Sequence, residues 1–504
     1  MRPLLLVLSW MAACVSTPLQ PGGAHLTVVE IGAHEPVPCR VHLQNADGAP
    51  QQIPGLPFFK DHFAFPGSGT LELAPGRYHY QIERGPEYQA RAGRFTVRRN
   101  GGPVLNIELR RIVDMAARGW WSGELHVHRP VDDMQLLMRA EDLHIAPVIT
   151  WWNDRTKNKN KWREGGPPSD PLVRFDTNRY MHLMGGEDER DGGALLYFNL
   201  SQPLDLSGAT AEHPSSMRFL EEARRRPNAW IDVEKPFWWD VPVWLASGKV
   251  DSIGLANNHM CRSEMYESEA WGKPRDTRRL QPPRGNGYWT QEIYYHILNC
   301  GLRIPPSAGS ASGILPNPVG YNRVYVKVEG ELTYAKWWRA LKAGRAFVTN
   351  GPMLIVTANQ RLPGHVFVAN AGQTVELQLD ATVFSREPIH TLQIIKNGQV
   401  QQEMSAISKV QPAPLRFRES GWFLVRAIGE NGSTFRFAST APFYVDIGKQ
   451  RRISRTSAQF FVDWVEERIG GIKLEDAKQR REVLRYHHAA REFWRTLLAK
   501  ANAQ

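Results

Sequence analysis

A central β/α barrel flanked by two small β-sandwich domains, with a helical segment at the C-terminal end, is the architecture this sequence predicts. Three observations carry that reading. Between residues 117 and 348, short apolar runs alternate with stretches of helical periodicity, the order expected of parallel strands joined by helices. On either side, over 24–112 and 350–448, strand-length runs are separated by turn residues instead. From about 455 to 504, apolar residues recur at helical spacing.

The first stretch, Met1–Pro18, reads as an export signal. Arg2 is its positive start, and Leu4–Val15 is an apolar run too short to span a bilayer. Met11-Ala12-Ala13-Cys14 resembles a bacterial lipoprotein box with Met where Leu is usual. That reading makes Cys14 a lipidated membrane anchor, and an ordinary cleavage near Ala13 or Ser16 is the alternative. Either way the expected location is periplasmic or at the cell surface. Cys39, Cys261 and Cys300 then remain, an odd number that implies no disulfide framework, with a Cys261–Cys300 bridge left open. The net charge of +11 looks dispersed, and no nucleic-acid-binding fold motif accompanies it. It therefore reads as solvated surface rather than a nucleic-acid site.

In the first β region, Thr27–Ile31 and Cys39–Leu43 read as strands, and Thr70–Leu73 and Tyr78–Glu83 as a hairpin-like pair around Pro75-Gly76. In the central region Pro130 opens a helix with Asp132 and Asp133 in its first turn. Ile145–Thr150 is a continuous apolar run of the buried-strand type. Met181–Gly186, Ala194–Asn199, Ala229–Val233, Ser252–Ala256 and Arg323–Val328 are further strands. Met217–Arg226, Val241–Ser247, Gln291–Asn299 and the stretch from Thr333 to Ala343 are helices. In the second β region Asn397-Gly398 is a strong hairpin-turn signal. The tail carries two packing stripes, Phe460, Phe461, Trp464 and Val465, then Val483, Tyr486, Ala490, Phe493 and Leu497.

Chemistry concentrates where strands end. His126 and His128 in Gly123–Arg129 are two apart, so an extended chain turns both imidazoles to one side. Trp151–Asp154, Glu187–Asp188–Glu189, Glu234–Lys235 and Asn257–Asn258–His259 each follow an apolar run, and in an α/β barrel strand C-termini build the active site. Trp pairs at 151–152, 238–239 and 337–338 suggest aromatic walls for a sugar-like or ring-bearing small molecule.

Gly119–Arg129 (GWWSGELHVHR), Pro306–Ser312 (PSAGSAS) and Gly344–Pro352 (GRAFVTNGP) together resemble the CehA/McbA branch of the PHP (polymerase and histidinol phosphatase) superfamily. The resemblance implies a distorted β/α barrel, a metal cluster and metal-assisted hydrolysis, mostly of phosphoesters, with carbamates in this branch. It matches His126 and His128 to the opening histidine pair and Glu187 to a metal-bridging carboxylate. It also shows departures: two usual ligands fall on Ala311 and Gly313, and Glu234-Lys235-Pro236 stands where His-Pro is usual.

Two nitrogens and one oxygen suit zinc, manganese or iron, as one or two ions. Glu234 or His259 is a candidate fourth ligand, Asp154 a candidate base, and Lys235 a candidate stabiliser of an anionic transition state. The expected function is an exported metal-dependent hydrolase of a phosphoester, carbamate or amide-type bond. The alternative is an inactive ligand- or carbohydrate-binding protein on the same scaffold.

Overall fold

The computed structural model describes residues 22–154, 159–162, 168–405 and 409–504. Met1–Pro18, with Cys14, lies outside them. No described helix is long and apolar enough to cross a membrane.

The expected β/α barrel is corrected by the strand count and by strand direction. The described residues form thirty strands and seven helices, and one mixed sheet of seventeen strands closes on itself and runs on into the C-terminal β region. A β/α barrel needs a helix between each pair of parallel neighbours. Here Arg179–Arg190 turns directly into antiparallel Gly193–Phe198, which pairs antiparallel with Trp230–Val233. Arg323–Lys327 is antiparallel to both Trp120–Gly123 and Ala346–Thr349. Parallel pairing survives where Ile145–Asp154 meets Arg179–Arg190 and in the series Trp230–Val233, Ser252–Ala256, Pro306–Ala308. A buried apolar run reads alike in either direction. Asp191-Gly192, followed by Gly193 at φ +114° in register with Arg190, is the hairpin turn that sets the direction.

The flanking regions also differ in detail. Ser68–Leu73 and Gly76–Glu83 do not pair with each other. The first joins Gly22–Glu30 in a three-stranded sheet, and the second joins Cys39–Asn45 in a five-stranded one. Val28, Val41, Phe63, Ile82 and Leu109 fill the space between these two sheets. The 350–448 region is continuous with the central sheet, because Ala346–Thr349 pairs with Phe437–Thr440. Asn397-Gly398 does make the hairpin between Ile389–Lys396 and Gln399–Met404, with both residues at positive φ.

The tail forms helices Arg455–Gly471 and Ala477–Ala499, N-capped by Ser454 and Asp476. Phe461, Trp464, Val465, Val483, Ala490 and Trp494 are buried. Arg468 ties the tail to Asp240 and Glu212. Cys39, Cys261 and Cys300 are free and buried, so the Cys261–Cys300 bridge is not formed.

Candidate metal centre

His126 and His128 follow strand Trp120–Gly123 in an extended segment clamped on both sides. Val127 bridges to Val148 and to Ser312, Ile149 N–H donates to the Val127 carbonyl at 2.8 Å, and His128 N–H donates to Ser312 at 2.8 Å. The neighbouring segment comes this close because it carries glycine. A Cβ on Gly309 would lie 2.4 Å from His126 Cβ, and Gly313 sits at φ +101° against the His128 carbonyl. Glu187 approaches from strand Arg179–Arg190, level with Trp152 of its parallel neighbour.

These placements bring three side chains together. His126 Nε2 and His128 Nε2 are 3.1 Å apart. The Glu187 oxygens lie 3.5 Å from His126 Nε2 and 3.3 Å from His128 Nε2. All three are nearly enclosed. Burial disfavours the His126 imidazolium, but Glu187 and Glu234 outweigh it and hold that pKa above the usual histidine value. Burial dominates at His128 and lowers its pKa. At Glu187 the two imidazoles outweigh burial and hold the carboxyl below its ordinary range.

Glu234 faces the other nitrogen of His126, with Oε1 3.3 Å from Nδ1. Lys235 Nζ donates to Glu234 Oε1 at 2.7 Å, and Trp238 Nε1 donates to Oε2 at 2.8 Å. In the neutral ring, Glu234 beside Nδ1 favours the proton on that nitrogen and turns the Nε2 lone pair towards the cluster. The donor set therefore fits a divalent ion: one bare imidazole nitrogen, a second 3.1 Å away and a carboxylate beside both. Glu234 occupies the outer position from which a carboxylate orients a ligating histidine.

The cluster lines a cavity of about 240 Å³. Trp152, Glu189, Lys235, Trp238, Asn258, His259, Trp271 and Ala311 also line it, with exposed Ile314 among the lining residues. His259 lines the cavity without joining the three. Its ring packs against Phe237 at 5.5 Å and Tyr266 at 5.8 Å, and burial with the Lys235 charge pushes its pKa down to about 3. The Asp154 side chain lies outside the described residues. Ala311, at φ +50°, offers only a methyl group, and Gly313 offers none.

Of the tryptophan pairs, Trp152 and Trp238 reach the cavity, whereas Trp337 and Trp338 are core. Glu187–Glu189 and Trp151–Asp154 lie within their strands rather than beyond them. Glu189, to which the sequence reading gives no role beyond the run Glu187–Asp188–Glu189, lines the cavity as well: the two-residue spacing that pairs His126 with His128 also pairs Glu187 with Glu189. Burial and the Glu187 charge push the Glu189 carboxyl up to about 7.

A second group of three was not anticipated. In the N-terminal region Asp61 lies 3.1 Å from His42 Nδ1 and 2.8 Å from His62 Nδ1, and Arg40 Nε donates to His42 Nε2 at 3.1 Å. The histidines sit on paired neighbouring strands, which no local spacing reveals.

No family model matches the chain, and no curated protein matches it. Among solved structures, the CARDB domain of a Pyrococcus furiosus protein, in complex with di-metal ions, is similar at 16% identity over 19% of this chain and 94% of that one, with a TM-score of 0.12. The N-terminal four Ig domains of a Dscam1 isoform are similar at 11% identity over 84% of this chain and 94% of that one, with a TM-score of 0.13. At such scores neither likeness carries an argument about fold or site.

Proposed function

We propose that the chain is an exported, metal-dependent hydrolase, related to the CehA/McbA branch through its histidine motif and its two other matching segments. The observation that carries this reading is the convergence of His126, His128 and Glu187 in the wall of one cavity. These three would hold one ion, zinc, manganese or iron, and leave a position open. When bound, the ion supplies a water acidic enough to be hydroxide near neutral pH.

The remaining work falls to the chain. Glu234 fixes the His126 tautomer, and Lys235 and Trp238 hold Glu234 in place. Lys235 Nζ, 4.5 Å from the Trp238 ring centre, offers a cation for charge developing on a phosphoester, carbamate or amide. Trp152, Trp271 and Ile314 give the cavity an apolar side suited to a ring-bearing or sugar-like substrate.

A second reading, an inactive binding protein, draws support from Ala311 and Gly313, which contribute no ligand to the cavity. Metal analysis combined with turnover of phosphoester, carbamate and amide model substrates separates the two. Stoichiometric metal with turnover that disappears in His126→Ala/His128→Ala supports the hydrolase. Metal without turnover on any of the three supports the binding protein.

A further inference from the structure

A chain of buried contacts leads from the two C-terminal helices to the metal centre, and it passes through Asp240. This residue follows Glu234 and Trp238 in one segment and opens the short helix Val241–Ala246. An aspartate in that place usually accepts a hydrogen bond from the first turn of its own helix. The Asp240 side chain makes no such bond. Its Oδ1 lies instead 2.8 Å from Arg468 Nε and 3.2 Å from His487 Nε2, one contact from each tail helix. Burial disfavours the carboxylate, but Arg468 and His487 outweigh it and hold this carboxyl below its ordinary range. Arg468 Nη1 also donates to Glu212 at 2.8 Å, and the His487 ring is wholly buried.

The same residue joins two parts of the centre. Its N–H donates to the Gly192 carbonyl at 2.9 Å, in the hairpin turn that ends the strand Arg179–Arg190 carrying Glu187. The contact is close: a Cβ on Gly192 would lie 2.2 Å from Asp240 Oδ2. Just beyond, the Pro242 carbonyl accepts from Trp494 Nε1 of the tail at 3.0 Å. The segment from Glu234 to Pro242 is thus fastened to the tail at one end. At the other, Glu234 faces His126 Nδ1 and accepts from the Trp238 indole.

We propose that Asp240 is a positioning residue for the metal centre: Arg468 and His487 hold it in place, and through it set where Glu234 meets His126. This inference rests on His126, His128 and Glu187 being a metal site. Apolar packing of Phe461, Trp464 and Trp494 already attaches the tail. A buried ion pair adds little net stability, because desolvation offsets much of its attraction. What the charged contacts supply here is a fixed place for Asp240.

The test uses cobalt(II), a stand-in for zinc whose visible absorption reports its coordination. It is titrated into the full metal-free chain and competed with a chelator. His487→Leu and Asp240→Asn should each lower cobalt affinity roughly 2–30-fold, the span of coupling carried through a packed network. The double variant should lose little more than Asp240→Asn alone, since both cut the same contact. His487→Gln keeps a donor and should recover part of the loss, and the two His487 variants carry the test if Asp240→Asn does not fold. Glu482→Gln loosens the tail elsewhere, at its 3.2 Å contact with His213, and should leave cobalt affinity and spectrum unchanged. Thermal unfolding of the metal-free variants separates positioning from stability. Affinity that falls in step with unfolding temperature in every variant, Glu482→Gln included, would make the tail merely structural and overturn the proposal. Unchanged affinity in His487→Leu and Asp240→Asn, with cobalt bound by wild type, would overturn it and leave the metal site standing. A wild type that binds no cobalt would overturn the metal site itself, and this inference with it.

Discussion

Two clusters in this molecule have the same composition, two histidines and a carboxylate, and differ in which nitrogens are left available. In the N-terminal region Arg40 donates to His42 Nε2, so the His42 proton sits on Nδ1 and goes to Asp61. His62 Nδ1 gives a second contact to the same carboxylate. An ion there would have to displace a committed proton beside the Arg40 guanidinium. In the central region Glu234 takes the proton of His126 on the far side of the ring and leaves Nε2 bare, facing His128 and Glu187. Residue identity is therefore a poor guide to metal binding. What decides is the second contact each ring makes.

The sharpest way to break that comparison is to delete each pair. His126→Ala/His128→Ala should abolish bound metal and lower turnover by at least about a hundredfold, the scale of losing an essential group. His42→Ala/His62→Ala should leave metal content unchanged, and elemental analysis of both purified variants checks it. A smaller effect is expected from Glu234→Gln, which keeps the shape and removes the orienting charge. Metal affinity, read by competition with a chelator, should fall roughly 10–100-fold, as is usual when an outer carboxylate is lost. Asp61→Asn should leave that affinity alone.

The two clusters should also respond to pH with opposite sign. In metal-free protein the His126 pKa is raised, so its contribution to stability is full below the unfolded histidine value near 6.5 and is lost as pH rises through the folded value. Burial lowers the His62 pKa to about 4, so its contribution is intact above 6.5 and is lost as pH falls towards 4. Denaturant unfolding of metal-free wild type, His126→Gln and His62→Gln from pH 4 to 8 should show the first variant closing on wild type at high pH and the second at low pH. The smallest effect belongs to Lys235→Met. With no cation beside it, Glu234 should lose part of its hold on His126, and metal affinity should fall less than in Glu234→Gln.

Much of the central site was legible because it rests on local rules. The i, i+2 geometry of His126 and His128 follows from extended backbone alone, and Glu187 stands out as the first carboxylate after the run Met181–Gly186. The role of Glu234 was not legible, because it depends on which face of His126 the Trp230–Val233 strand reaches. The fold was only partly legible. Strand positions follow from apolar runs, but strand direction depends on turns such as Asp191-Gly192, and the reading of a β/α barrel failed there. The pair His42 and His62 was out of reach for the same reason, since only strand pairing brings residues so distant in the chain together.

Crystals soaked in zinc and measured at its absorption edge address the central claim most directly. The account predicts one anomalous peak, about 2.0–2.2 Å from His126 Nε2, His128 Nε2 and a Glu187 oxygen, and none beside Asp61. A peak at Asp61, or no peak between the two histidines at saturating zinc, would contradict it.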